Sequence, residues 1–234
     1  MATASLAACA PSSSAHGLAV VATTTQVCDY VTQIAARSAD ISLDKTDAAG
    51  KSSHVGAPAD GAALTMSLTC LLAPNASAHE HEMTPAQTSA LAQADVMAVS
   101  GVDLEHFLDD AVVSSGFKGR MIVTSGVLTA ADIDNPGTPD PEGTYTIDRG
   151  SERVDVAPWP FPPEEAGEEP EFRFDPHVWT SPKGARVQVA NLGAGLAAAA
   201  PDAASSINAA TASYLEDIDA LDQWTAEAIK TVPE

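Results

Sequence analysis

Residues 63–100, ALTMSLTCLLAPNASAHEHEMTPAQTSALAQADVMAVS, decide the fold. The run 63–72 is short, apolar and free of helix periodicity, which predicts a buried strand. A polar loop from Pro74 to Met83 follows, and then a marked helix start: Thr84 as N-cap, Pro85 in the first turn, and Gln87 three residues after the cap. That helix is expected to run to about Ala94, and 95–100 (DVMAVS) predicts another strand. Strand, helix and strand at this spacing imply a parallel pair, because parallel strands need a helical crossover.

The same alternation extends in both directions. Residues 17–25 (GLAVVATTT) read as a strand, and Val27, Tyr30, Val31, Ile34 and Ala35 then fall on one face of a helix. The stretch 40–62 turns to Asp, Gly, Ser and Lys and is expected to be a surface loop. Asp103 is expected to cap a helix over DLEHFLDDAVVSSG, with Leu104, Phe107, Leu108 and Ala111 as its apolar stripe and Gly116 at C′. A strand over 120–125 completes a doubly wound α/β lobe on a four-stranded parallel sheet. Residues 134–173 break this rhythm. They hold half of the chain's 16 prolines and a run of acids (Glu164, Glu165, Glu168, Glu169, Glu171), which predicts a long surface loop pinned by Trp159, Phe161 and Phe172. Order returns at Asp175-Pro176-His177-Val178-Trp179. Ser181 and Pro182 open a helix to about Ala200, Pro201 and Asp202 interrupt it, and a long amphipathic helix over 203–231 carries Ile207, Tyr214, Ile218, Leu221 and Ile229.

With 234 residues, 45% of them hydrophobic, one principal domain is expected. A net charge of −21, from 32 acidic against 11 basic residues, argues against a nucleic-acid partner, because phosphate binding requires a basic patch and none is visible. Outside an Ala-rich helix no apolar run reaches the length of a membrane span. Leu6-Ala7-Ala8-Cys9, followed by the polar Ala10–Ser14, resembles a bacterial lipobox and tether, so Cys9 is a candidate lipidation site and 1–16 the remnant of a lipoprotein signal. The basic and apolar regions of a complete signal are missing ahead of it. Cys28 and Cys70 then remain as an even pair, either a disulfide in an oxidising compartment or two buried thiols.

His79 and His177 occupy matching contexts, each a few residues before a Ser/Thr-Pro helix start. In doubly wound sheets ligands bind beyond the carboxyl ends of the strands, so two loop histidines there can converge on a divalent metal, and a nearby helix N-terminus favours the neutral, coordinating ring. Taken singly, either is more often a capping or packing residue. Glu80, His81 and Glu82 could add a donor locally, although their close spacing strains joint coordination. Asp175 reads as a turn residue or a support for a ligand. His106 is expected on the polar edge of a helix, and His16 and His54 in flexible segments, without a role.

LLAPNASAHEHEMTPAQTSALAQADVMAVSGVDLEHFLDD and DPHVWTSPKGARVQVANLGAGLAAAAPDAASSI together resemble the cluster A-I metal-binding solute-binding proteins of zinc and manganese ABC importers, with VVATTTQVCDYVTQIA similar to that family's first strand and helix. The resemblance covers 17–234 apart from the loops at 40–62 and 134–173. It implies an N-terminal lobe over 17–200, a linker helix over 201–234, and His79 and His177 as the first two metal ligands. The third and fourth would come from a second lobe, which has no counterpart in these 234 residues. The implied activity is extracytoplasmic capture of Zn²⁺, with Mn²⁺ as the alternative, by a lipid-anchored protein on the outer face of the membrane that hands the ion to an ABC permease. Two imidazoles favour zinc, since manganese prefers oxygen donors. No bond is made or broken in such a role. The competing readings are a surface adhesion module using the acidic loop, and a zinc hydrolase built on His79, His177 and a carboxylate, against which HEHE lacks HExxH spacing. A lobe without its partner would expose its inner face, so a homodimer is also expected.

Overall fold

The parallel sheet grows from β1 (Leu18–Ala22), whose Val20, Val21 and Ala22 are buried on both faces, as a central strand between two helical layers requires. The computed structural model describes residues 17–136, 140, 143–163, 168 and 170–232; Cys9 and His16 lie outside them. β1 pairs in parallel with β4 (Leu64–Cys70) on one side and with β5 (Val96–Val99) on the other. β2 (Ile41–Thr46) and β3 (Ser52–Gly56) extend the β4 side, and β6 (Arg120–Val123) and β7 (Thr146–Asp148) extend the β5 side, giving the order β3-β2-β4-β1-β5-β6-β7. All pairings are parallel except the β2–β3 hairpin.

The sheet therefore has seven strands where the sequence predicted four. The three additions lie in the stretches read as loops, and each hides its signal. β2 shows only Ile41 and Leu43 as fully buried apolar residues, β3 is mostly exposed, and β7 is three residues long. Edge strands bury one face at most, so β3 and β7 stay polar in composition, and β2, although paired on both sides, buries only its first three residues.

One layer consists of α1 (Thr25–Ala36), α5 (Pro182–Ala199) and α6 (Ala204–Ile229); the other holds α2 (Pro85–Ala92) and α3 (Leu108–Ser115). A short α4 (Ala130–Asp134) follows β6. α1 buries Val27, Tyr30, Val31, Ile34 and Ala35, the face its periodicity marks, and Thr84 and Gln87 form the capping box of α2. α5 lies against α6 closely enough that a Cβ on Gly193 would collide with the Thr211 side chain, so only glycine permits this approach. α6 buries Ile207, Ala210, Thr211 and Ile218, while Leu221, Trp224 and Ile229 are at least half exposed. Its first half is thus part of the lobe and its second half leaves an apolar face open. Among the described residues no helix is long and apolar enough to cross a membrane.

Cys28 of α1 and Cys70 at the end of β4 are joined in a disulfide, with Cα atoms 5.6 Å apart and a sequence separation of 42. Closing a loop of this length removes chain entropy from the unfolded state worth up to about 4 kcal/mol. Reduction, or the Cys28→Ser/Cys70→Ser variant, is expected to lower the unfolding free energy by about 2–4 kcal/mol in urea titrations, with the native circular dichroism spectrum retained. An unchanged midpoint would show that the bridge does not restrain the unfolded chain.

Candidate metal centre

The chain leaves β4 at its carboxyl end, runs through residues 71–84 and enters α2, and His79 sits in this connection. Ring centroids of His79 and His177 are 5.5 Å apart with planes at 73°. His177 directly precedes a 3-10 turn, Val178–Thr180, that leads into α5. Two residues 98 positions apart in sequence thus meet at one end of the sheet.

Asp175 fixes the orientation of His177. One carboxylate oxygen, Oδ1, accepts from the His177 backbone N–H at 3.0 Å and from ring Nδ1 at 2.7 Å. A carboxylate only accepts at neutral pH, so Nδ1 carries the proton and Nε2 keeps its lone pair for a ligand. Asp175 is itself held by its backbone N–H donating to the Ala157 carbonyl at 2.8 Å. His79 is half-buried, and its Nδ1 is buried without a hydrogen-bond partner. Burial pulls its pKa below the usual imidazole range, with His177 and His106 adding to the effect and Glu171 and a hydrogen bond to the Leu104 backbone opposing it. The outcome is a neutral ring with an unsatisfied nitrogen, the state in which imidazole coordinates a metal.

Aromatic side chains of the acidic stretch surround this pair. Trp159 lies 5.9 Å from His177 and 5.0 Å from Phe172, which in turn lies 4.9 Å from His79; Trp179 packs on His177 at 5.3 Å. An antiparallel bridge between Pro158 and Phe174, with Trp159 N–H donating to the Arg173 carbonyl, closes the base of the loop there. Trp159 and Phe172 are pinned as the sequence suggested, whereas Phe161 touches Trp159 but is 61% exposed.

The neighbouring histidines divide differently from expectation. His81 is half-buried against Phe107, with centroids 5.0 Å apart, and Glu80 and Glu82 are exposed. His54 is not in a flexible segment but on β3, bridging Asp44 and the Ala57 carbonyl at 2.9 Å each. His106 is not on a helix. α3 begins only at Leu108, because Gly101, Val102 and Asp103 all take positive φ (90°, 59°, 56°) and Asp103 accepts from the Ala130 N–H instead of capping α3. The buried Glu105 carboxylate holds this turn, accepting from Ser100 N–H, Gly101 N–H and the Thr23 hydroxyl at 2.6, 3.0 and 2.6 Å. His106 consequently lies with its ring 6.1 Å from His79, a neighbour that helical periodicity had concealed. Among the described residues no three His, Cys, Asp or Glu side chains are grouped so as to hold a metal ion. His79 and His177 offer two imidazoles to an ion that, as zinc, takes four donors.

The family model for ZnuA, zinc-uptake complex component A, periplasmic, matches residues 20–234. The manganese-binding lipoprotein MntA of Halalkalibacterium halodurans is 27% identical over 156 residues, covering 67% of this chain and 40% of that protein. Among solved structures, a zinc-bound ZnuA deletion mutant superposes with a TM-score of 0.60 at 16% identity, over 93% of this chain and 60% of that one. Zinc-bound AdcA from Streptococcus pneumoniae gives 0.57 at 19% identity, over 92% and 33%. At these identities the structures establish a common fold. The chain spans less than half the length of the curated relatives it matches.

The two kinds of histidine environment titrate in opposite directions. His79, depressed by burial, contributes stability that is present above its unfolded value of about 6.5 and is lost as pH falls through the folded value. His54, raised by its hydrogen bonds to Asp44 and the Ala57 carbonyl, contributes stability present below that unfolded value and lost as pH rises through the folded one. In an NMR titration of the imidazole C–H signals, the His79 midpoint is expected below that of His54. The reverse order would contradict this arrangement.

Proposed function

The chain belongs to the ZnuA family of periplasmic zinc-uptake components, and from that premise we propose that it captures a divalent transition metal outside the membrane through His79 and His177 and delivers it to the permease of an ABC importer. The observation that carries this reading is the pairing of the two rings at 5.5 Å with His177 Nδ1 tied to Asp175. Two imidazoles bound to one zinc ion at ordinary bond lengths and near-tetrahedral angles place their centroids about 5 Å apart. The ion is cargo, and a protein in this role binds and releases it without chemical change.

Zinc is the favoured cargo because both donors are nitrogen, although the similar MntA is named for manganese. Residues 17–200 act as the metal-binding lobe and 201–234 as a linker helix, with the remaining ligands supplied by a second lobe. That lobe would also cover Leu221, Trp224, Ile229 and Val232, which are exposed here; a second copy over the same face is the alternative, and sedimentation distinguishes the two. Lipid anchoring at Cys9 would hold the protein at the outer membrane face beside its permease.

Calorimetric titration of the chain with Zn²⁺ and then Mn²⁺ tests the proposal. Zn²⁺ is expected to bind more tightly, and the His79→Ala/His177→Ala variant to lose the binding heat. Asp175→Ala is expected to weaken Zn²⁺ by about 10–100-fold, since it removes the acceptor that orients a ligating ring. Binding unaffected by the double variant would refute the assignment.

A further inference from the structure

Resting on the reading of His79 as a ligand, we propose that Glu105, with Thr23 as its buried partner, is a positioning residue that sets where the His79 ring stands. Its action is indirect and runs through the backbone of residues 100–107.

The connection that carries His79 is weakly held by its own backbone. Among the described residues, 74–83 make backbone hydrogen bonds only locally: Ala76 N–H donates to the Ala73 carbonyl at 3.0 Å and His79 N–H to Ser77 Oγ at 3.2 Å. Its side chains lean on the segment that follows β5. His81 packs on Phe107 with centroids 5.0 Å apart, and Met83 joins the apolar cluster that contains Phe107 and Leu108. The His79 ring meets the Leu104 backbone and lies 6.1 Å from the His106 ring, while Phe172 and His177 approach it from the later segment. The placement of His79 is therefore inherited from residues 104–107.

That segment has two anchors. One is the connection between β6 and α4, where the Val127 and Leu128 carbonyls accept from Val102 and Asp103 N–H at 2.8 and 3.0 Å. The other is the Glu105 carboxylate, which is 4% exposed. Its Oε1 accepts from Ser100 N–H and from the Thr23 hydroxyl, each at 2.6 Å, and its Oε2 from Gly101 N–H at 3.0 Å. Two of these donors belong to the turn itself, so the Thr23 bond is what refers the turn to the end of β1. A bond of that length from a hydroxyl to a carboxylate is among the stronger kinds. Burying a carboxylate costs desolvation that an apolar side chain would avoid, so the gain here is placement rather than stability. A ligand must be held to within about 0.5 Å to grip well, and a turn that drifts at Leu104 carries His79 with it. Loss of the Thr23 hydroxyl leaves the Val127 and Leu128 anchor in place, which keeps the lobe folded.

The test compares the full parent chain with Thr23→Val, Thr23→Ser and Glu105→Gln, by NMR of the imidazole C–H signals and by Zn²⁺ affinity in competition with a chromogenic chelator. Thr23→Val keeps the branched shape and removes the hydroxyl. It is expected to move the His79 signals, leave those of His54 in place, and weaken Zn²⁺ by about tenfold, as loss of a supporting group does at such sites. Thr23→Ser, which retains the hydroxyl, is expected to keep both near the parent. Glu105→Gln turns a donor toward the N–H groups it must accept from, so it is expected to weaken Zn²⁺ at least as much, and it carries the test if Thr23→Val does not fold. Parental affinity in Thr23→Val and Glu105→Gln, or equal displacement of the His54 and His79 signals, overturns this inference and leaves the two-histidine reading standing. A parent chain that takes up no Zn²⁺ overturns that reading itself.

Discussion

Parallel pairing of β1 with β4 on one edge and β5 on the other is the constraint from which the rest of the molecule follows. Because all three strands run the same way, the segments that leave them emerge at one end of the sheet, and these segments carry His79, Glu105 and His106. Thr23, just past β1, donates to Glu105 beyond β5, so the ends of two neighbouring strands are tied by a buried carboxylate. Burial pushes that carboxyl up in pKa, and its hydrogen bonds from Thr23, Ser100 and Gly101 draw it back. A charged or protonated Glu105 thus costs desolvation or loses acceptors, and only the closed turn balances the two.

The elements legible in the sequence are those whose signals are local. A Thr-Pro-x-Gln start fixes α2, an apolar face fixes α1, and buried apolar runs fix β1, β4, β5 and β6. What stayed hidden depends on distant partners. β2, β3 and β7 exist because a neighbouring strand offers unpaired N–H and C=O groups, and their own residues carry little apolar content. Val102 and Asp103 hold positive φ because the Val127 and Leu128 carbonyls accept their N–H groups, and only Gly101 hints at that from sequence. Periodicity alone, blind to that turn, starts α3 after Asp103 and puts His106 on the polar edge of a helix. The histidine pair was legible because each member sits against a proline-marked helix start; Asp175 followed from its spacing to His177.

Electrostatics and packing act on this face in opposite senses. A chain with net charge −21 favours protonated, cationic imidazoles over most of its surface, as the raised pKa of His54 beside Asp44 illustrates. Burial reverses the bias at His79, which rests against Phe172, because desolvation penalises the charged ring. Glu171 pulls on His79 in the other direction, but burial outweighs it. The acidic stretch therefore supplies both negative charge that gathers cations and, in Phe172, part of the apolar surface against His79.

α6 behaves as a lever with its fulcrum inside the lobe. Its first half is clamped by α5 through Gly193 and by Arg37 of α1, whose guanidinium lies over Tyr214 and pairs with Asp217. Its outer half meets the beginning of α5 in a groove lined by Trp179, Pro182, Tyr214, Ile218 and Leu221. Trp179 is two residues from His177 and in contact with its ring. The outer helix and the mounting of His177 thus border one groove, and whatever packs against the free arm near Trp224 lies one side chain away from the histidine pair.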